Sequence, residues 1–262
     1  MTKTFGNPVV MAALALVAVW GVSGDARAGE LEAKKLLKAM SEYMAAQQNI
    51  SFKFDSNLEI VTKDRQKLLL ASSGTIDLSR PDKIRATRFG GFANVEMIFD
   101  GKTVTLLGKD ANLYTQVAAA GTIDNLVDAL RDKYHRPVPG ADLLLSNVYD
   151  QLMTGVVDVK DVGSGVIGGK ECDHLAFRNK EVDWQIWIAQ GPIPYPCRYV
   201  ITAKHVDQAP QYSVQISDWN AGNDAARDGF TFKNSTNATK VDLKEVGDID
   251  ELPKRFTPGG TR

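Results

Sequence analysis

The chain has few of the residues that build metal or redox centres, with only three histidines and two cysteines among 262 residues. A structural zinc site takes about four clustered Cys or His ligands, and neither a CxxC nor an HExxH run occurs. The GxxxxGK[ST] phosphate loop and the GxSxG nucleophile elbow are also absent. Charge of one sign is lacking as well, because 31 Lys and Arg balance 32 Asp and Glu. We therefore expect no metal, no cofactor and no nucleic-acid partner.

The N-terminal segment has the composition of an export signal. Lys3 supplies a positive charge, and an apolar run of 14 residues follows at 9–22. This run is shorter than the roughly 18 apolar residues that span a bilayer. Ala26-Arg27-Ala28 is an A-x-A cleavage site, so we expect residues 1–28 to be removed as a signal peptide. The mature protein is predicted to be periplasmic, without a transmembrane segment.

In an oxidising compartment, two cysteines form a candidate disulfide. Cys172 and Cys197 lie on either side of a strand near residue 185. If the three segments form a meander, the cysteines are separated by two strand spacings, about 9–10 Å, which is too far for a bond. A bulge or twist would be needed to bring them together. The sequence leaves open a disulfide and a pair of buried thiols.

Hydrophobic periodicity predicts one helix, about six strands, a helical insertion and about six more strands. The first helix runs from Glu30 to about Gln47, and the insertion covers 122–153, with Thr122 as a cap and helices to about 134 and from about 141. The strands are predicted near 50–61, 67–79, 83–90, 93–100, 102–108, 111–117, 156–167, 170–179, 181–189, 196–205, 211–219 and 229–233.

Short turns between successive strands require antiparallel pairing. The predicted fold class is therefore α+β, with one large curved antiparallel sheet, a half-open barrel of about 10–12 strands. The N-terminal helix and a lid made of the two inserted helices are expected to cover its concave face. We expect a single domain at 29–246, a flexible tail at 247–262 and a monomer.

The most regular strand is Val182-Asp-Trp-Gln-Ile-Trp-Ile188. Alternation places Trp184, Ile186 and Ile188 on one wholly apolar face. Such a face either packs as ordinary core or lines a ligand cavity, and the sequence does not decide between them. The residues predicted to complete the cavity wall are two from a neighbouring strand and two from the lid, namely Met97, Phe99, Leu143 and Leu144.

Several segments in one order resemble a family of predicted periplasmic proteins of unknown function related to the LolA/LolB-type lipoprotein carriers. The segments are Ser79-Arg-Pro-Asp-Lys-Ile-Arg85, Phe99-Asp-Gly-Lys-Thr103, Ala141-Asp-Leu-Leu144, His174-Leu-Ala-Phe-Arg178, the run 182–188 and Val200-Ile-Thr202. The resemblance covers about residues 35–235. It implies a half-open barrel with a helical lid over a hydrophobic cavity for acyl chains.

The carriers also begin one strand with Pro-x-x-x-Arg, whose arginine is associated with lid closure, and Pro81 and Arg85 match this pattern. Alternation puts Ile84, Ala86 and Arg88 on one face and Arg85 on the other. Arg85 is therefore either outward and solvated, or turned inward to contact the lid at Asp142 or Asp150. An inward guanidinium would need such a partner, because an unpaired buried charge costs several kcal/mol.

Two non-enzymatic functions remain. One is a carrier with a hydrophobic cavity for a lipid or the acyl chain of a lipoprotein. The other is an envelope interaction or sensor module that binds a protein on the same sheet. A catalytic set drawn from Ser217, His174 and Asp183 has no motif that fixes its geometry, so we expect no enzyme and no catalytic residues. A closed apolar cavity would favour the carrier function. A filled core with an exposed apolar patch would favour the interaction module.

Overall fold

The computed structural model describes residues 23–243 except 92, 135–137, 224 and 227–228, and of residues 23–28 it describes the backbone alone. The predicted leader as far as residue 22 and the predicted tail at 247–262 lie outside these residues. The helices are α1 (Ser23–Ala46), α2 (Ile123–Asp128) and α3 (Val148–Met153), with a π-helical turn at Ala129–Lys133 and a 3-10 turn at Ala141–Leu144. The strands are β1 (Asn49–Val61), β2 (Lys67–Ser79), β3 (Lys83–Gly90), β4 (Ala93–Phe99), β5 (Thr103–Gly108), β6 (Leu113–Ala118), β7 (Asp158–Ile167), β8 (Lys170–Arg178), β9 (Val182–Ala189), β10 (Pro196–Ala203), β11 (Gln211–Ala221) and β12 (Thr239–Lys240).

All twelve strands belong to one sheet, in the order β12-β6-β5-β4-β3-β2-β1-β11-β10-β9-β8-β7. Each pair is antiparallel except β12 with β6. Asp100 accepts hydrogen bonds from the backbone of Lys102 and Thr103, and Gly101 takes a positive φ of 89° in the tight turn between β4 and β5. The predicted α+β class with a large antiparallel sheet is confirmed. In the described part of the chain, the order does not close on itself.

We call the face that packs against the helices the inner face. Leu37, Met40 and Met44 of α1 follow each other at helical spacing and are fully buried on it. This helix contacts β7, β9 and α3, so it covers one half of the sheet. The helix begins seven residues before the predicted start, inside the segment expected to be cleaved. Cleavage after Ala28 stays a prediction.

The insertion also covers the inner face, because Ile123, Leu126, Val148 and Leu152 belong to the same hydrophobic core as the sheet. Thr122 caps α2 as predicted, accepting from the backbone of Asn125 in a reciprocal capping box. The predicted second helix, 141–153, is instead a 3-10 turn and a short α-helix. The chain bends at Leu145, which is extended and separates the two helical pieces. Three hydrogen bonds, made by Leu145 and Ser146 with distant residues, hold this bend.

The predicted strand at 229–233 is wrong. This segment crosses the outer face of β3–β6, where Phe232 packs on Tyr114 at 4.8 Å and the Gly229 carbonyl accepts from Arg85. Gly229 has a φ of 104°, which is incompatible with an extended strand. The two residues of β12 then pair in parallel with β6. Aromatic alternation in this segment therefore reflects packing on a sheet, not membership of it.

Replacing Leu37 of α1 with Ala should lower the free energy of unfolding by about 2–5 kcal/mol, because Leu37 is fully buried against the sheet. Leu31 lies in the same helix and is 66% exposed. Leu31→Ala should therefore change the free energy of unfolding by less than about 0.5 kcal/mol. Urea denaturation of both variants measures the difference. Equal losses would contradict the packing of α1 on the inner face.

Candidate functional site

Two adjacent cavities lie between the insertion and the inner face of the sheet. The small cavity has a volume of about 130 Å³ and the large cavity about 350 Å³. Both are partly open to solvent. The two cavities share eight lining residues and thus form one cleft: Phe54, Ile76, Ala86, Met97, Leu126, Leu130, Val138 and Pro139.

The walls of the large cavity are mostly apolar. The floor is the inner face of β3–β6, and the roof is α2, the π-helical turn, and residues 134 and 138–139 beyond it. Floor residues are Ala86, Val95, Met97, Val104, Leu106 and Val117, and roof residues are Leu126, Leu130, Tyr134, Val138 and Pro139. Leu243, just beyond β12, closes one side. The cleft therefore suits an apolar ligand group.

The cleft persists because small residues and an irregular roof stand where a core would be filled. At Gly74 an added Cβ would meet the Thr87 carbonyl at 1.9 Å and the Phe54 ring at 2.6 Å, so glycine lets this ring lie against β2. Ala86 leaves space beneath the insertion. Leu130 comes from the π-helical turn, a conformation often found at functional sites.

Three of the seven predicted wall residues line the cleft. Met97 of β4 borders both cavities, and Leu143 and Leu144 of the 3-10 turn border the small cavity. All three belong to the hydrophobic core or pack against it. A contact between these side chains and a ligand stays a prediction.

The other four predicted wall residues lie in filled core. Trp184, Ile186, Ile188 and Phe99 are each at most 2% exposed, and none lines either cavity. Trp184 stacks on Phe177 of β8 at 3.9 Å, which occupies the space a ligand would need. Of the two interpretations of the run 182–188, ordinary core packing is the one that the structure has. The cleft opens instead over the first half of the sheet.

The predicted contact between Arg85 and Asp142 is wrong. Arg85 points outward, and its Nε donates to Glu96 at 2.6 Å; Lys109 pairs with the same carboxylate at 3.0 Å. Asp142 accepts instead from the Tyr199 hydroxyl at 3.3 Å. The physical reason is the alternation of β3: with Ile84 facing the core, Arg85 has to face outward.

The contacts that hold the insertion come from residues not predicted by the sequence analysis. Arg80, between β2 and β3, donates from Nη2 to the Leu145 carbonyl at 3.3 Å. Asp124 of α2 accepts from the backbone and the hydroxyl of Ser146. Both contacts hold the bend where the predicted helix is interrupted. No local sequence signal identifies them, because they join segments 22 and 65 residues apart.

At the far end of the insertion, the backbone N–H of Tyr149 donates to Ser41 of α1 at 2.8 Å. This bond satisfies one of the N–H groups that α3 leaves unpaired at its start. The insertion is thus attached to α1 and to the sheet by a small number of polar contacts.

Cys172 and Cys197 are buried thiols, and Cys197 lies at a bulge in β10. The pairing of β10 with β9 shifts between Pro196 and Arg198, which leaves Cys197 outside the regular register. Burial, together with a hydrogen bond to Cys172, raises the pKa of Cys197 to about 12. The two thiols are therefore hydrogen-bonded neighbours, closer than the two strand spacings expected from a regular meander. The bond itself stays a prediction.

Two of the three side chains considered as a catalytic set, His174 and Asp183, bind other residues. His174 bonds through Nε2 to Gln185 at 2.9 Å and stacks on Trp187 at 4.0 Å. Asp183 binds Arg178 through both carboxylate oxygens. Across the described ranges, no three His, Cys, Asp or Glu side chains converge as metal ligands. The run Gly163–Gly168 has GxGxxG spacing but lies on β7 and the turn into β8, whereas dinucleotide binding uses a strand-to-helix turn.

Residues 33–244 match the family described as "Predicted periplasmic protein (DUF2092)". This description confirms the localisation predicted from the leader segment. Among helices of the described chain, none has the length and hydropathy to cross a bilayer. No curated protein sequence matches the chain.

Several solved structures follow a similar course of the chain. The Mycobacterium tuberculosis lipoprotein LppX has 12% identity and a TM-score of 0.47, covering 74% of this chain and 98% of its own. The Pseudomonas aeruginosa MucA/MucB complex has 16% identity and a TM-score of 0.44, and the match covers 77% of this chain and 61% of the other. A LolA superfamily protein from Nitrosomonas europaea has 10% identity and a TM-score of 0.34, and the match covers 73% of this chain and 94% of the other. At these identities the likeness concerns the fold.

Burial predicts that the two thiols react slowly in the folded protein. At pH 8, iodoacetamide should modify neither cysteine during a time that fully modifies the unfolded, reduced chain, because only the thiolate reacts and burial raises both pKa values. Mass spectrometry counts the adducts. Rapid modification of the folded protein would contradict the burial of the pair. The same reagent applied to the unfolded chain without reduction distinguishes the two states of the pair. Two adducts indicate two thiols. No adduct, with a mass lower by two hydrogens than that of the reduced chain, indicates a disulfide.

Asp142 should make the protein less stable as pH rises. Burial raises the pKa of Asp142 above its ordinary 3.8, so the folded chain holds this proton more tightly than the unfolded chain. The free energy of unfolding then falls as pH rises between the two values. Asp142→Asn keeps an acceptor for Tyr199 without the charge.

We expect Asp142→Asn to have the larger free energy of unfolding at pH 7, with the advantage over wild type disappearing below about pH 4. Urea denaturation at several pH values measures this. Asp150→Asn, at an exposed position of α3, is the matched control and should follow the wild type. A lower stability of Asp142→Asn at pH 7 would show that the carboxylate stabilises the insertion.

Proposed function

Because the chain belongs to the family described as predicted periplasmic proteins (DUF2092), we propose that it is a periplasmic binding protein that holds an acyl chain in the cleft beneath the insertion. The acyl chain belongs to a lipid or to an acylated protein. The observation that carries this proposal is the large cavity of about 350 Å³ with apolar floor and roof.

The size and lining of the cleft support an acyl ligand. An apolar cavity of about 150 Å³ is enough to bind benzene, and small-molecule sites begin at about 300 Å³. Each methylene moved from water to an apolar wall contributes about 0.8 kcal/mol. A chain that occupied the large cavity would therefore gain several kcal/mol without any polar contact.

The attachment of the insertion supports a lid role. Its two α-helices have six residues each, too few to be stable without tertiary contacts. Its bend is held by three hydrogen bonds, one from Arg80 to the Leu145 carbonyl and two from Ser146 to Asp124. Movement of the insertion about its two connections to the sheet gives a ligand access to the cleft.

A second candidate function, protein interaction, is favoured by one strand. β7 lies at an edge of the sheet and carries Val162 and Val166, which are 51% and 65% exposed. An open edge offers backbone groups to an extended partner segment. The bulge between Asp161 and Gly163 shortens the regular part of this edge, which makes strand addition less favourable.

Filling the cleft should weaken acyl binding. Ala86 lines both cavities, and Ala86→Phe places a ring between the floor and the roof. We expect the affinity for a fluorescent fatty acid to fall by about tenfold or more, as several buried methylenes lose their wall contacts. Fluorescence titration measures the affinity.

Ala71→Phe is the matched control, because Ala71 lies on the outer face of β2 and is exposed. It should bind within about twofold of the wild type, a difference of less than about 0.5 kcal/mol. Equal affinities of the wild type and a folded Ala86→Phe variant would exclude the cleft as the binding site. Absence of binding by the wild type, with no lipid copurifying without detergent, would favour the protein-interaction function.

A further inference from the structure

A row of paired residues crosses the floor of the cleft at right angles to its strands. The antiparallel register places one inner-face residue of each strand directly opposite the next, from β6 through β5, β4 and β3 to β2. The members of this row are Thr115, Leu106, Met97, Ala86 and Ile76. All five line the large cavity, and the last three also line the small one. With neighbouring strands about 4.8 Å apart, the row is about 19 Å long.

Thr115 is the one polar member of this row. Its side chain is only 3% exposed, and its neighbours on the floor, Leu106 on β5 and Val117 on β6, are apolar. Among the described residues, no group forms a hydrogen bond with the Thr115 hydroxyl. Its oxygen is not sealed off by neighbouring atoms, so the hydroxyl borders the open space of the cavity. Because buried polar groups almost always have a partner, the partner of this hydroxyl comes from what occupies the cavity.

The other hydroxyl groups of the cleft differ from that of Thr115. Thr87 turns its hydroxyl to the outer face of the sheet, where it bonds with Thr75 at 2.8 Å. Tyr212, at the small cavity, forms a hydrogen bond with a serine of β1. Tyr134 lies on the roof and is only partly buried. Of the hydroxyl groups in the described part of the cleft, Thr115 alone is both deeply buried and available to a ligand.

The chemistry of a single hydroxyl favours an uncharged acceptor. A carbonyl oxygen accepts one hydrogen bond from such a group, which offsets its loss of water. An ionised carboxylate loses far more hydration than one hydroxyl replaces. An amide adds an N–H donor, for which the row has no further acceptor. A pure hydrocarbon fills the row but leaves Thr115 without a partner. The complementary ligand therefore has an apolar chain that ends in an ester carbonyl.

We propose that the ligand is an acyl ester whose carbonyl oxygen accepts a hydrogen bond from Thr115, while its acyl chain lies along the row toward Ile76. This inference rests on the proposed acyl-binding function and adds the class of ligand and its orientation. The chain passes Leu106 and Met97 and reaches Ala86. The ester end lies on β6, next to β12 at the margin of the sheet, so the alcohol part of the ester extends beyond this margin.

The test compares methyl dodecanoate with the dodecanoate ion and with tetradecane, a hydrocarbon of similar length. Displacement of a fluorescent fatty acid from the intact protein gives the affinity of each. Thr115→Val removes the hydroxyl and keeps the shape of the side chain. It should weaken the binding of methyl dodecanoate by about three- to tenfold, the range that corresponds to one hydrogen bond. The affinity for tetradecane should stay within about twofold.

Thr105→Val is the matched control. Thr105 lies on β5 and is 3% exposed like Thr115, but it is on the outer face, where its hydroxyl accepts from Gln116. This variant should bind both ligands as the wild type does. Thr115→Ser keeps the hydroxyl and should retain the wild-type affinity for the ester.

Infrared spectroscopy of an ester with an isotope-labelled carbonyl reports the hydrogen bond directly. The carbonyl stretch should have a lower frequency in the wild-type complex than in the Thr115→Val complex, because a hydrogen bond weakens the C=O bond. The same frequency in both complexes would show that Thr115 does not bind the carbonyl.

The outcomes separate the two proposals. Unchanged ester binding in Thr115→Val, or an equal loss for the ester and the hydrocarbon, overturns the ester site and leaves the acyl-binding function standing. Tighter binding of the dodecanoate ion than of its methyl ester overturns the uncharged class of ligand. Failure of all three ligands to bind the wild type overturns both proposals.

Discussion

The inner face of this sheet is wider than the helices available to cover it. α1 is long, and its buried residues Leu37, Met40 and Met44 seal the half of the sheet near β7–β9. The half formed by β1–β6 is left to an insertion whose helical elements are short and separated by turns. An apolar surface must be covered, but cover of this kind does not fill the space beneath it. The cleft follows from that mismatch in width.

The two halves differ in packing for the same reason. In the half near α1, stacked rings such as Phe177 on Trp184 fill the space on the inner face of β8 and β9. Under the insertion, Ala86 stands where a larger residue would fill the core. The cleft therefore adjoins a half of the sheet whose core is filled.

The outer face of β3–β6 is also covered, which explains the direction of Arg85. Glu96 is only 6% exposed, and Arg85 and Lys109 neutralise its carboxylate beneath the C-terminal segment. A buried carboxylate without partners would be costly. Two cations on the outer face are therefore required there, and Arg85 is not available to the lid.

Periodicity predicted eleven of the strands and the inner orientation of Ile84, because alternation is a local property of the chain. The capping box at Thr122 was also predictable from neighbouring residues. The cleft was placed over β9 because its apolar face is the most regular in the sequence. Regularity does not distinguish filled core from a cavity wall, since that depends on which helix lies above. The Arg80–Leu145 contact and the segment that covers Glu96 join distant parts of the chain, and no local pattern encodes them.

In the described residues the sheet order is open between β12 and β7, and this has a consequence for the size of ligand that the proposed cleft would accept. In a closed barrel, the number of strands and their stagger fix the diameter, so a wider guest has to break hydrogen bonds around the ring. Here the floor of the cleft ends at β6, where β12 contributes only two residues and Leu243 forms the rim. Outward displacement of β12 would leave every pairing from β6 to β7 intact. On the proposed function, this margin would set the width of the bound ligand, and the floor its length.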